Sequence, residues 1–466
     1  MKEKLTAYME THREELIRDV CRLVRVRSDR GEPKEGAPYG EGPAAALAEA
    51  MELAREMGFS VTNYDNYVMT ADLGEQPAGL DILAHLDVVP AGDGWTVTPP
   101  FEPVVLEGRI FGRGTADDKG PAVAALYAMK AVKELGIPLR RGVRLILGTD
   151  EECGSSDLEY YYAREKEAPA SFSPDADFPL INLEKGGLRG VVTASFEEGK
   201  ALPRLVSAQG GTKLNVVPDK AFALVEGLTA GELEDCCKKA AEETGAAFAI
   251  SEEGGLMRID VKGIGAHASR PEDGCNAVTA LIRLLTELPL ADCEGLQRLK
   301  AVKEVFPHGD WSGRAAGVAM EDELSGATTI SFDIFHYDLG ALRGEFDCRA
   351  SILANDGNLR DVIHDRLAEG GVTLEPCAVY EPHHVPADSP LVQALLRCYE
   401  EYTGEKGRCV SIGGGTYVHH LKNGVAFGCA KEGVDNRMHG DDEFVEVDQL
   451  LLSAAIFAQA IADICA

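Results

Sequence analysis

The chain has no run of apolar residues approaching the roughly 18 that a membrane span needs, no internal repeat, no low-complexity tract and no excess of basic charge. Its 77 acidic and 46 basic residues leave a formal net charge of -31. That balance argues against nucleic acid or an anionic membrane as a partner and carries no information about fold. The 12 cysteines lack the paired spacing of a zinc finger. They are scattered, and Cys348, Cys398 and Cys429 sit among apolar neighbours, so buried thiols are expected in place of disulfides or a thiolate metal centre. The amino terminus opens directly into a charged amphipathic helix without the pattern of a targeting segment, and a soluble cytoplasmic protein is expected.

A length of 466 residues exceeds what one hydrophobic core usually serves, and 45% hydrophobic residues is ample for burial. Two domains are therefore expected, one inserted in the other. Through residue 187, strands alternate with helices. Helical spacing covers 2 to 28 and Pro43 to Met57, strand patterns cover 59–64 and 67–73, and an apolar strand ends at His85. A helix then runs from Pro121 to Leu135, followed by a buried strand over 142–149. Between 188 and 382 the pattern turns to α+β, with alternating segments such as Val191 to Phe196, Thr329 to His336 and Leu342 to Ile352. From 383 the chain returns to the first domain with a helix at Ser389 to Tyr402, a strand at Val425 to Ala430 and an amphipathic helix from Val447 to Ile464. The fold class is α/β: an open sheet domain (1–187 and 383–466) carrying an inserted α+β domain (188–382), with polar residues delivered beyond the carboxyl ends of the strands.

Four such deliveries stand out. The strand from Leu80 ends on His85-Leu86-Asp87, and two residues apart means the same side of the pleat. Asp87 can accept a proton from one ring nitrogen while the other binds metal; a hydrogen-bonded core histidine is the plainer alternative. The run Gly112-Arg113-Gly114-Thr115-Ala116-Asp117-Asp118-Lys119-Gly120 joins a strand to a helix, and its adjacent carboxylates repel each other unless a cation or proton sits between them. A helix cap is the ordinary alternative there. The strand over 142–149 runs into Asp150-Glu151-Glu152, three carboxylates that need a cation or solvent, and Asp175 adds another before the next strand. Far along the chain, Asn436-Arg437-Met438-His439-Gly440 precedes the terminal helix.

In that order and combination, these motifs resemble the co-catalytic zinc aminoacylase/carboxypeptidase superfamily. Within it they resemble the bacterial dinuclear dipeptidases of the dipeptidase V (carnosinase-like) type, over nearly the whole chain. The resemblance implies a mixed-sheet zinc-peptidase catalytic domain and a lid of two ferredoxin-like halves. It implies two divalent metal ions, zinc first, with manganese or cobalt as alternatives. Asp117 would bridge them across a cis Asp117-Asp118 bond, His85 and Asp175 would complete one ion, and Glu152 and His439 the other. Glu151 would be the general base acting on a water or hydroxide between the ions, and Asp87 would orient His85.

For the inserted domain, the resemblance assigns His267, in Gly265-Ala266-His267-Ala268-Ser269, to the tetrahedral oxyanion. It assigns Arg349 to the substrate carboxylate, a task suited to a guanidinium fork. Asn215 and the loop Gly413-Gly414-Gly415-Thr416 are further substrate contacts, the loop through its backbone N–H groups. The length of the insert matches the form in which both lid halves lie in one chain, so a catalytically complete monomer acting on small peptides is expected. The alternatives are an N-acyl amino acid deacylase or desuccinylase with the same chemistry, and a binding or regulatory relative that has lost its metals. The pairs His383-His384 and His419-His420 are expected to be mostly structural, since neighbouring side chains on an extended strand face opposite ways.

Overall fold

The computed structural model describes every residue from Met1 to Ala466. The chain divides into two compact units. One comprises Met1–Leu183, His383–Val410 and Gly415–Ala466, the other Glu184–Pro382 and Ser411–Gly414.

The larger unit is built on a nine-stranded mixed sheet. Its centre is parallel, with Gly142–Gly148, Ala78–His85, Ser171–Ser173 and Gly424–Ala426 side by side. Val68–Leu73 and Ser60–Tyr64 continue one edge in antiparallel fashion. Every residue of Ala78–His85 and Gly142–Gly148 is buried, as strands covered on both faces must be. The cover comes from Lys2–Thr11, Arg13–Val24, Glu41–Glu56, Lys119–Glu134, Pro390–Thr403 and Val447–Cys465, whose apolar faces form one cluster with these strands. The helical spacing over 2 to 28 thus resolves into two helices broken at His12. Contrary to expectation, Val447–Cys465 is long and apolar enough to cross a membrane by length and composition, with a mean hydropathy of 1.5. In this fold 72% of that window is buried, and the helix packs on Lys119–Glu134. It is apolar nearly all round because it is a core helix.

A three-stranded antiparallel ribbon places distant segments together. Arg109–Phe111 pairs with Val104–Leu106 on one side and Phe444–Glu446 on the other, with Phe111 opposite Phe444. The loop after Phe111 and the loop before Phe444 therefore leave from the same end.

The smaller unit is an eight-stranded antiparallel sheet in two halves. Ala247–Glu253, Leu256–Lys262, Lys220–Glu226 and Arg204–Gly210 form one, with helices Ala230–Thr244 and Ala277–Glu287. Thr329–Tyr337, Ala341–Ala350, Gly186–Ser195 and Thr373–Leu374 form the other, with Glu294–Val305 and Asp361–Glu369. The second half has the ferredoxin-like strand order 4-1-3-2, whereas in the first Arg204–Gly210 precedes the other three strands and the order is 1-2-4-3; the halves meet where Ala208 to Gly210 pair with Tyr337 to Phe335. The halves are interleaved in sequence, because Gly186–Ser195, which opens the unit, pairs with Ala341–Ala350 near its end.

Candidate metal centre

Three neighbouring parallel strands end at one edge of the sheet and deliver most of the site. Ala78–His85 ends on His85, Gly142–Gly148 runs through Thr149 and Asp150 into a turn at Glu151–Cys153, and Ser171–Ser173 leads to Asp175. Gly148 lacks a side chain for a steric reason: a Cβ there would lie 2.0 Å from the Tyr417 hydroxyl and 2.3 Å from Asp157 Oδ2. Tyr417 donates to that oxygen at 2.5 Å. The same oxygen accepts the N–H groups of Thr149 at 2.6 Å and Asp150 at 3.0 Å, so the strand end leading to Glu151 is held by buried bonds. The run after Phe111 turns at Gly114, whose φ of +89° favours glycine. It reaches Asp117, joined to Asp118 by a cis peptide bond. Lys119 then starts the helix, its ammonium group donating to the Val26 carbonyl at 2.7 Å and its pKa lowered by burial to about 7.

The side chains converge on Asp117. His85 Nε2 lies 2.8 Å from Asp117 Oδ1 and 3.6 Å from Asp175 Oδ2. His439 Nε2 lies 2.9 Å from Asp117 Oδ2 and 3.1 Å from Glu152 Oε1. One oxygen of Asp117 thus faces each imidazole. Ligand atoms of His85, Asp117 and Glu152 all fall within 4.8 Å of one another, as do those of His85, Asp118 and Asp175. His439 is the solvent-facing member, its side chain 46% exposed.

Protonation alone leaves this cluster in conflict. Burial disfavours a charged His85, but Asp117, Asp175 and Asp87 outweigh it and push the imidazole well above its usual range. Asp117 and Glu152 raise His439 to about 11. Burial, with Asp175, Glu152 and Asp117 nearby, pushes Glu151 well up, and burial with Asp117 raises Glu152 to about 7. Divalent cations fit the donor set, since imidazole nitrogens and carboxylate oxygens at these separations are the ligands such ions take. One atom adds to the fit: Glu152 Oε1 is buried and makes no hydrogen bond, although it stands 3.1 Å from His439 Nε2. Two potential metal donors 3.1 Å apart, without a hydrogen bond between them, suit an ion there.

Asp87 differs from its expected arrangement. The nearest partner of His85 Nδ1 is the Asp87 carbonyl at 3.0 Å, while the carboxylate is 3.5 Å away. That carboxylate instead accepts the backbone N–H groups of Glu151 and Glu152. Asp118 supports His85 from the other side, accepting its backbone N–H at 3.1 Å.

In the smaller unit, His267 lies on Ala266–His267, with Val216 opposite it in the paired strand. Asn215, next to Val216, accepts the Ala268 N–H at 2.9 Å, so Asn215 and His267 are neighbours. The Ser269 N–H donates to His267 Nδ1 at 3.1 Å. A backbone N–H can only donate, so in the neutral ring the proton sits on Nε2. Arg349 is paired within its own strand: Nε and Nη2 donate to the two oxygens of Asp347 at 2.5 and 3.0 Å, and Nη1 donates to the Gly413 carbonyl at 2.9 Å. The guanidinium thus abuts the glycine loop, and Gly414 follows its contact. In the larger unit, Gly415 precedes Thr416, whose hydroxyl accepts the Val418 N–H at 3.3 Å and caps the turn Tyr417–His420. His383 is buried, its Nε2 bonded to the Gly424 carbonyl at 2.6 Å.

Sequence reasoning missed Glu443, which is fully buried and gathers the backbone N–H groups of Gly114, Ala116 and Asp117. Its only sequence signal is an acidic residue closing the His439 loop.

Residues 82–463 match the model of the peptidase family M20/M25/M40. The chain is 38% identical over 455 residues to a Bacillus subtilis (strain 168) protein whose name, dipeptidase YtjP, is carried as provisional; the match covers 96% of this chain and 97% of that one. It is 34% identical over 467 residues to the Beta-Ala-Xaa dipeptidase of Lactobacillus delbrueckii subsp. lactis, covering 97% of this chain and 96% of that one. Among solved structures, human carnosine dipeptidase 1 shares the fold with a TM-score of 0.61 at 16% identity, covering 100% of this chain and 98% of that one. With a family match over most of the chain and end-to-end relatives above 30% identity, the chain belongs to the peptidase family M20/M25/M40, a family of metallopeptidases.

Proposed function

We propose that this chain is a dipeptidase that hydrolyses the single peptide bond of a short substrate with a free carboxylate, using two divalent metal ions. The observation that carries the reading is the position of Asp117, with one carboxylate oxygen toward His85 and the other toward His439. Asp117 would bridge the ions, His85 and Asp175 would hold one, and Glu152 and His439 the other. Zinc suits these ligands best, and manganese and cobalt are compatible. The dipeptidase names of the two relatives support the substrate class.

When bound, two divalent ions make a water between them more acidic and polarise a substrate carbonyl. Glu151 takes the proton of the attacking water on a carboxylate oxygen and passes it to the nitrogen of the leaving amine. Without metal, burial and the neighbouring carboxylates push its pKa up; cations beside it would favour the carboxylate that accepts the proton. Asp87 fixes Glu151 and Glu152 through their backbone N–H groups. We assign to His267, protonated on Nε2, donation to the oxyanion. To Arg349 we assign the substrate carboxylate; Asp347 and Gly413 use three of its N–H donors, leaving two for a further acceptor. With both halves of the smaller unit in one chain, the monomer is complete.

Hydrolysis of Ala-Ala, Leu-Leu, β-Ala-His, Ala-Ala-Ala and N-acetyl and N-succinyl amino acids by the metal-refilled protein tests this reading. Release from dipeptides, and not from the tripeptide or the acyl compounds, is expected. Preference for an acylated amino acid would replace the substrate and keep the chemistry, and silence with every metal would leave a binding protein.

A further inference from the structure

Glu443 and Arg113 are 0% and 1% exposed and form an ion pair at 2.6 Å. The Glu443 carboxylate also gathers a loop. Oε1 accepts the N–H groups of Gly114 (3.0 Å), Ala116 (2.9 Å) and Asp117 (3.2 Å), and Oε2 accepts that of Gly114 at 3.1 Å. Arg113 Nη2 reaches the carbonyl of Gly440 at 3.0 Å, the residue after His439. The backbone adds a tie, Gly112 N–H donating to the Glu443 carbonyl at 2.9 Å. The pair therefore fastens the loop carrying Asp117 to the loop carrying His439.

The second loop needs fastening. Arg437, His439 and Asp442 hold φ of +56°, +62° and +57°, a region that costs L side chains free energy and persists where surrounding bonds impose it. Asp442 supplies part of the restraint by accepting the N–H groups of Thr96 and Val97 at 2.8 and 2.9 Å; the Arg113–Glu443 pair ties down both sides of Asp442. A buried ion pair contributes little net stability compared with apolar side chains of the same shape. Its service here is geometric.

We propose that Arg113 and Glu443 are positioning residues that set the spacing of Asp117 and His439, and thereby the affinity for the metal ion those two residues share. This rests on the metal reading above. The test compares the full chain with Arg113→Lys, which keeps the charge and loses the reach to Gly440, and with the double variant Arg113→Met/Glu443→Gln. The double variant removes both charges together and keeps an amide oxygen to accept the loop N–H groups. Each metal-stripped protein is titrated with zinc against a competing chelator, its cobalt form is followed by visible absorption, and its Tm is measured without metal. The wild type is expected to bind two ions. The variants are expected to bind the ion that Asp117 and His439 share about 10–100-fold more weakly, with an altered cobalt spectrum for that equivalent.

Two ions bound by the variants with wild-type affinity and spectrum would overturn the inference, whatever happens to Tm, because a purely structural pair would move Tm alone. If the double variant does not fold, Arg113→Lys decides by the same readouts. A wild type that binds no divalent ion would overturn the metal reading itself, whereas two ions in the wild type and unchanged variants would overturn the positioning role only.

Discussion

The carboxylate of Asp87 accepts the backbone N–H of Glu152 at 3.1 Å and, through its other oxygen, that of Glu151 at 3.2 Å. It therefore places a metal-ligand candidate and the candidate base together, from the end of a different strand. Asp87→Ala removes both acceptors and is expected to lower kcat/KM about 10–100-fold, with loss of metal from the folded protein. Asp87→Asn retains one acceptor oxygen and should fall between. Kinetics alongside metal analysis of the purified variants checks this.

Glu151→Gln separates chemistry from binding. The amide has nearly the same shape and cannot take a proton, so metal content should stay at the wild-type level while kcat falls by about 10²–10⁴. Wild-type turnover in this variant would remove Glu151 from the mechanism.

The pH dependence of stability should carry a contribution from Asp333 in the smaller unit. Burial, with Asp347 nearby, raises its carboxyl from an ordinary 3.8 to about 9, against the opposing effects of Ser331 and Arg349. The folded state then holds a proton that the unfolded chain has lost. Its stabilisation is full below about pH 4 and declines as pH rises toward about 9. Asp333→Asn keeps the neutral form at every pH. Its unfolding free energy should match the wild type near pH 4 and exceed it at pH 8 by several kcal/mol; denaturant melts at the two pH values read the difference.

Much of the larger unit was legible because buried parallel strands are apolar throughout and end abruptly in polar residues. His85, Glu151, Glu152 and Asp175 lie at such ends, and the glycine-rich turn marked Asp117. Glu443 was not legible, because it turns inward only once Phe444–Glu446 pairs with Arg109–Phe111, a contact across more than 300 residues of sequence with no local pattern. The bond between Tyr417 and Asp157 was hidden for the same reason. In the smaller unit the strands were readable, but the pairing of Gly186–Ser195 with Ala341–Ala350 is set by sheet completion and not by order along the chain. Asp87 shows the limit of spacing rules. Two residues apart put it beside His85, yet the turn of Glu151–Cys153 offered its carboxylate better donors.

The proposed hydrolysis of a dipeptide with two metal ions, which Asp117 would bridge, is tested most directly by a titration. Metal-stripped protein is supplied with increasing zinc, and Ala-Ala hydrolysis is followed at each ratio of metal to chain. Activity is expected to be absent without metal and to reach its plateau at two equivalents per chain. A plateau at one equivalent, or hydrolysis that survives complete removal of metal, would contradict a two-metal mechanism.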